Sequence, residues 1–221
     1  MRNKVLIKEI FKSIQGEGLY IGTNQLFIRF SHCNLHCEYC DTDFITDLKE
    51  YNATELSSFV NNIKDIHSIS LTGGEPLMEA DFLTEFLPLV NHKIYLETNG
   101  TLFFDLKKII NYVDIIAMDI KLESSSKNGD LFDIHEKFIN TAKEKELFVK
   151  VVFDENIKEE EIIKCTALTK KYSVPLIIQP KMNGENLELR TDFINKVFYR
   201  FINLYSQTRL IPQVHKFMNI R

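Results

Sequence analysis

Apolar residues fall along the chain in two rhythms. Short runs rich in Val, Ile, Leu and Phe alternate with, or replace, polar positions over five to seven residues, as in "LFIRFS" and "LFVKVVF". These predict strands at 26–31, 68–72, 93–98, 114–120, 147–153 and 175–179. Between them the spacing lengthens to a helical period, which predicts helices near 54–65, 79–91, 104–111, 131–145, 158–172 and 191–206. Thr54 and Asp81 are the candidate N-caps, and the proline of "GGEP" suits entry to the second helix. The polar stretch "ESSSKNGD" at 123–130 reads as a surface loop.

Strands alternating with helices imply parallel neighbours, because a parallel pair needs a connection of about a dozen residues or more. An eight-unit barrel usually takes about 250 residues. The 221 residues here point instead to an α/β fold with a six-unit partial βα barrel, in one domain over 1–221. A doubly wound open sheet is the alternative, and both put the site beyond the carboxyl ends of the strands. The chemically unusual residues collect there: "HCNLHCEYCDT" follows the first strand, "GGEP" the second, "NG" the third, "KLE" the fourth and "PKM" the sixth.

The balance of 44% apolar and 26% charged residues, with net charge −4, predicts a soluble globular protein without a broad nucleic-acid-binding surface. No apolar run approaches the ~18 residues of a membrane span, and the first residues lack a signal-peptide core. The expectation is a cytoplasmic protein with no membrane partner. In a reducing compartment, clustered thiols are metal ligands or catalytic groups more often than a disulfide framework. Cys165 stands alone on a predicted helix and reads as a small semi-buried residue.

Cys33, Cys37 and Cys40 have the spacing C-x3-C-x2-C. Three thiolates on one loop can wrap a corner of a compact centre, and a 4Fe-4S cluster, which normally takes four, would keep one iron open. A zinc site completed by His32 or His36 is the competing possibility. In "TGGEP", Gly73 and Gly74 let backbone approach a ligand, and Glu75 can accept hydrogen bonds from an ammonium group. In "QGEG", glycines flank Glu17 and free the backbone, and Gln15 and Glu17 offer paired donors and acceptors, although such a stretch alone is more often an ordinary polar turn. Alternation puts Arg29 opposite Ile28 and Phe30, where its guanidinium must either pair with a protein acid or await an anion. Lys150 either points into the barrel or snorkels to solvent.

With Tyr39 just before the last cysteine, the triad is similar to the signature of the radical S-adenosylmethionine enzymes. More specifically, "SIQGEGLYIGTNQLFIRFSHCNLHCEYCDTDF" resembles the N-terminal region of the 7-carboxy-7-deazaguanine synthase family. The likeness is close over the first 44 residues and looser at "TGGEP", "ETNG", "QP" and "PQVHK". The resemblance implies that Cys33, Cys37 and Cys40 hold a 4Fe-4S cluster, that Thr42 contributes to a Mg2+ site, and that Ile14, Gln15, Gly16, Glu17, Arg29 and Thr72 bind substrate. It further implies that Gly74, Glu75, Asn99, Asp119, Lys121 and Gln179 bind S-adenosylmethionine, and that the C-terminus at Arg221 approaches the substrate.

The activity so implied is a radical lyase reaction turning 6-carboxy-5,6,7,8-tetrahydropterin into 7-carboxy-7-deazaguanine with loss of ammonia, in the route to queuosine and other deazapurines. A flavodoxin or ferredoxin would supply electrons, and a homodimer is expected. A glycyl-radical-enzyme activase shares the cysteine spacing, although "QGEG" and "CDT" speak against it; a non-catalytic zinc module is the alternative from another class.

Overall fold

The computed structural model describes residues 4–40 and 47–220. Asp41, Thr42 and Arg221 therefore lie outside the described residues. The strands β1 (Lys4–Ile14) and β2 (Asn24–Phe30) flank a short 3-10 turn at Gly18–Tyr20, and β3 (Lys49–Asn52) leads into α1 (Ala53–Asn61). There follow β4 (Ser68–Thr72), α2 (Ala80–Phe86), β5 (Ile94–Thr98), α3 (Phe103–Ile109), β6 (Ile115–Ile120), α4 (Glu123–Ser126), α5 (Phe132–Ala142), β7 (Glu146–Phe153), α6 (Glu159–Tyr172) and β8 (Leu176–Pro180). The hairpin strands β9 (Met182–Asn183) and β10 (Asn186–Leu187) precede α7 (Thr191–Leu204), β11 (Thr208–Leu210) and α8 (Val214–Phe217).

Among the described residues the main sheet has nine strands in the order β11-β8-β7-β6-β5-β4-β2-β1-β3. The six predicted strands are β2 and β4 to β8, which lie side by side, all parallel, in sequence order. This is the expected six-unit partial barrel, built as an open sheet rather than a closed one. β11 extends it in parallel beyond β8, while β1 and β3 complete the other edge with antiparallel pairings. No helix among the described residues is long and apolar enough to cross a membrane.

Period-two alternation sorts each parallel strand into two faces. One face packs Leu26, Ile28, Leu71, Leu96, Ile116, Val149 and Ile178 against apolar helix residues such as Leu56, Phe86, Leu106, Phe138, Cys165 and Phe201. Cys165 is fully buried there, more deeply than a semi-buried position would be. The inner face carries the complementary positions. Near the strands' N-terminal ends Tyr95, Phe148 and Ile177 pack with Leu19 and Tyr20, so the 3-10 turn plugs that end of the half-barrel. Towards the C-terminal ends the same register brings up Arg29, Thr72, Glu97, Asp119, Lys150 and Gln179.

Three local expectations are corrected. Asn52, not Thr54, caps α1, accepting from the Glu55 amide while Glu55 returns a bond to the Asn52 amide in a capping box. Asp81 lies within the first turn of α2 rather than at its cap; Glu75 instead caps the 3-10 turn at Pro76–Glu79 that precedes the helix. The stretch 123–130 is not simply a surface loop: it begins with α4, in which Ser124, Ser125 and Ser126 are buried. The cause lies far along the chain, because the Glu161 carboxylate of α6 accepts from the Ser124 amide at 2.9 Å and pins the turn inward.

Candidate active site

Residues at the ends of β2, β4, β5, β6 and β8 enclose a cavity of about 220 Å³, reached by all three cysteines of the triad. A second cavity of about 140 Å³ adjoins it through Glu17, Arg29, Thr72 and Glu97, and is walled by Ile14, Gln15 and Gly16. The first therefore gathers the cysteines with Gly74, Glu75's neighbours, Asn99, Asp119, Lys121 and Gln179; the second gathers the residues expected to meet substrate.

Cys33 and Cys37 are half-buried and Cys40 is exposed, and none forms a disulfide. Burial pushes the thiols of Cys33 and Cys37 up, so ligation there must displace their protons. N–H donors already face the sulfurs: Leu35 N and Asn99 Nδ2 lie 3.5 and 3.9 Å from Cys33 Sγ, and Asn128 Nδ2 lies 3.3 Å from Cys37 Sγ. Such donors favour thiolate over thiol. Among the described residues no three His, Cys, Asp or Glu side chains close on a single ion, and His32 and His36 are exposed. Three separate thiols around one cavity, each free and two faced by N–H groups, fit the corner of a cluster better than a zinc cage.

Opposite the cysteine loop, "TGGEP" passes so close to it that Gly74 has no room for a side chain. A Cβ on Gly74 would stand 2.1 Å from the His32 carbonyl oxygen, and its φ of +49° is itself the left-handed conformation that suits glycine. The next amide, Glu75 N, donates to the same carbonyl at 2.6 Å. The Glu75 side chain turns inward and is wholly buried. It accepts from Leu77 N at 3.1 Å, Thr98 Oγ1 at 2.9 Å and Asn99 N at 2.7 Å. Burial pushes its carboxyl up to about 7 despite these three donors. Asn99 is held from its other side as well, since buried His135 donates from Nε2 to the Asn99 carbonyl at 3.1 Å. Its side chain bridges Asn34 Oδ1 and the sulfur of Cys33. Gln179 Oε1 is buried at the lining of this cavity without a partner among the described residues, an acceptor suited to a bound ligand.

A buried ion network crosses the inner face. Lys150 Nζ lies 2.7 Å from Glu17 Oε2 and 3.4 Å from Asp119 Oδ1, while Lys121 Nζ lies 2.8 Å from Asp119 Oδ2 and over the Tyr39 ring. Lys150 thus points inward and does not snorkel. Burial alone would raise the Glu17 carboxyl, but Lys150, with Gln213 donating at 2.7 Å and His215 nearby, brings it down to about 2. Burial works against the charge on Lys121 too; Asp119 and Tyr39 outweigh it and hold its pKa well above the ordinary lysine value.

At the second cavity, Arg29 Nε pairs with Glu9 Oε1 at 2.7 Å, so a protein acid is one partner of the guanidinium. The same side chain lines both cavities. The Gln15 side chain is turned inside, accepting from its neighbour Glu17 N and donating to Gln25 and Glu97, which leaves the backbone of 14–16 as the cavity wall. Gly16 is pressed from behind by the C-terminal segment: Val214 N donates to its carbonyl at 3.0 Å, and a Cβ there would meet His215 Nδ1 at 2.3 Å.

Sequence reasoning missed Glu97, which accepts from Gln15, Ser70 and Thr72 and lines both cavities. Its signal was present: an acid at an inward position of a buried strand. Asn128, His135 and Gln213 had no comparable local signal.

A model of the radical SAM superfamily matches residues 27–197. The fold and the cysteine corner thus define a radical SAM protein. Among curated proteins, the chain is 35% identical to the 7-carboxy-7-deazaguanine synthase of Geobacter sulfurreducens, with 96% of each chain covered. It is also 35% identical to that of Archaeoglobus fulgidus, over 96% of this chain and 97% of the relative. On these near full-length matches, the chain belongs to the 7-carboxy-7-deazaguanine synthase family. The crystal structure of QueE from Escherichia coli shares the fold, with a TM-score of 0.66 and 16% identity over 96% of this chain and 95% of the other. Neither an activase nor a zinc module is favoured by this likeness.

Proposed function

We propose that the protein is a carbon-nitrogen lyase converting 6-carboxy-5,6,7,8-tetrahydropterin to 7-carboxy-7-deazaguanine with release of ammonia. The carrying observation is the paired cavity: free thiols with Gly74 and Asn99 at one end, and Arg29, Thr72, Glu97 and the 14–16 backbone at the other. When bound, a 4Fe-4S cluster and S-adenosylmethionine together supply a one-electron route to hydrogen abstraction from carbon. Cys33, Cys37 and Cys40 hold the cluster through their thiolates. Gly74, Glu75 and Asn99 receive the amino-acid end of S-adenosylmethionine, and Asp119, Lys121 and Gln179 contact the remainder. Glu75 can take up or release a proton near neutrality, and an ammonium group beside it favours the ionised form.

Arg29 binds the substrate carboxylate, its fork oriented by the Glu9 contact at Nε, and Thr42 would help to hold a Mg2+ ion, which would supply positive charge to that carboxylate. Thr72, Gln15, Glu17 and the backbone at Ile14 and Gly16 fix the pterin's plane and exclude water. A small electron-transfer protein, flavodoxin or ferredoxin, serves as reductant for a cytoplasmic homodimer whose chain is one domain over 1–221. The test is anaerobic reconstitution, followed by incubation with S-adenosylmethionine, dithionite, Mg2+ and the carboxypterin. Mass spectrometry should find the deazaguanine product together with ammonia. Cleavage of S-adenosylmethionine while the pterin stays unchanged overturns the substrate assignment.

A further inference from the structure

The segment after β6 does more than connect it to α5: it straps the cysteine loop. Ser126 O accepts from Glu38 N at 3.2 Å, and Asn128 Oδ1 accepts from His36 N at 3.2 Å. Both bonds fall on residues flanking Cys37. The Asn128 amide is thereby oriented without ambiguity. With Oδ1 committed to a backbone N–H, Nδ2 must face the other way, where it donates to Ser126 O at 3.0 Å and to Cys37 Sγ at 3.3 Å. A flipped amide would set an N–H against an N–H and an oxygen against both a carbonyl and a sulfur.

The strap is anchored independently of the cysteines. Glu161 on α6 accepts from Ser124 N, and the Lys127 side chain closes back on Ser124 O at 2.6 Å. Asn128 is half-buried, so its amide is partly shielded from water. Cys33 has a longer amide contact, since Asn99 Nδ2 stands 3.9 Å from its sulfur and donates to Asn34 at 2.9 Å. Asn128 is therefore the closer side-chain donor to a cysteine sulfur at this corner.

A hydrogen bond to a ligating sulfur stabilises the more negative, reduced form of an iron-sulfur cluster, and such bonds are among the determinants of its potential. We propose that Asn128 is a positioning residue for electron transfer: its Nδ2–H, directed at the Cys37 thiolate by the His36 amide, raises the reduction potential of the cluster. This rests on the cluster assignment above but not on the identity of the substrate.

The test compares reconstituted wild type with Asn128→Ala and Asn128→Asp, following cluster reduction by electron paramagnetic resonance in a redox titration without pterin. Asn128→Asp keeps an acceptor for the His36 amide and removes the donor to sulfur. Both variants should carry wild-type iron and reduce at a lower potential, by about tenfold in the reduction equilibrium, or about 59 mV for one electron. Potentials equal to wild type in both variants, with iron intact, overturn the inference. So does loss of iron from both, which would make the contact a loop anchor only. A wild-type protein that takes up no cluster would instead sink the cluster assignment itself, so the two failures are distinguishable.

Discussion

Lys150 on β7 reaches across the inner face to Glu17 in the loop after β1, placing its Nζ 2.7 Å from Oε2. The lysine side chain is only 6% exposed, so this is a buried pair holding the loop after β1 to the far wall of the half-barrel. Removing one partner of a buried pair strands the other charge, at a cost of about 3–5 kcal/mol. Lys150→Met should show a loss of this size in urea denaturation, and the added Glu17→Gln change should cost less than the two single changes summed. The acid limb carries the same signature. Glu17 ionises at about 2 when folded against an ordinary 4.5, so its contribution is complete above 4.5 and drains away as pH falls towards 2.

Gly74 is where "TGGEP" touches the cysteine loop. Gly74→Ala must move the His32 carbonyl, since backbone cannot yield as a flexible side chain would, and it must also hold alanine at φ +49°. Strain of this kind costs about 1–3 kcal/mol. Besides that loss of stability, iron content after reconstitution should fall, because the displaced carbonyl immediately precedes Cys33. Wild-type iron content in a folded Gly74→Ala variant would separate the glycine from cluster assembly.

Much of this site was legible because chemistry stood out against periodicity. Arg29 is a polar residue at an inward position of an otherwise apolar strand and is legible from alternation alone, whereas Thr72, Asp119 and Gln179 are legible through the family resemblance and the sequence leaves the direction of Lys150 open. What escaped depends on contacts between distant segments. Asn128 meets Cys37 across 91 positions, and Glu161 buries Ser124 from 37 positions away. β1 escaped for a different reason: "KVLIKEIFKSI" scatters lysines and a glutamate among its apolar residues. Its inner edge is satisfied by pairing with β2 and its outer part by β3, neither of which is foreseeable from local pattern.

The role proposed for Thr42 separates Mg2+ from the cluster. If its hydroxyl joins Mg2+ to the substrate carboxylate while the three cysteines alone hold the cluster, Thr42→Ala should leave the visible spectrum and iron content unchanged. Turnover at saturating carboxypterin should then require severalfold more Mg2+ to reach its maximum. Loss of the cluster in this variant would contradict the division.

The clearest pH signature comes from the two groups that grip Asn99 from opposite sides. Glu75 accepts from its amide at 2.7 Å and His135 donates to its carbonyl at 3.1 Å. Burial raises Glu75 to about 7, so between 4.5 and 7 the folded chain keeps a proton that the unfolded chain has released; stability from this group falls as pH rises through that window. Burial lowers His135 to about 4, so between 4 and 6.5 the unfolded chain takes a proton that the folded chain refuses; stability from this group rises with pH. The slopes oppose one another over most of the range, and their sum in wild type should be shallow. Glu75→Gln leaves the histidine to act alone, so its melting temperature should climb from pH 5 to pH 6.5. His135→Leu leaves the glutamate to act alone, so its melting temperature should decline over the same interval. Melting curves of the cluster-free protein at three pH values decide it, and parallel profiles for wild type and both variants would mean that neither group titrates differently on unfolding.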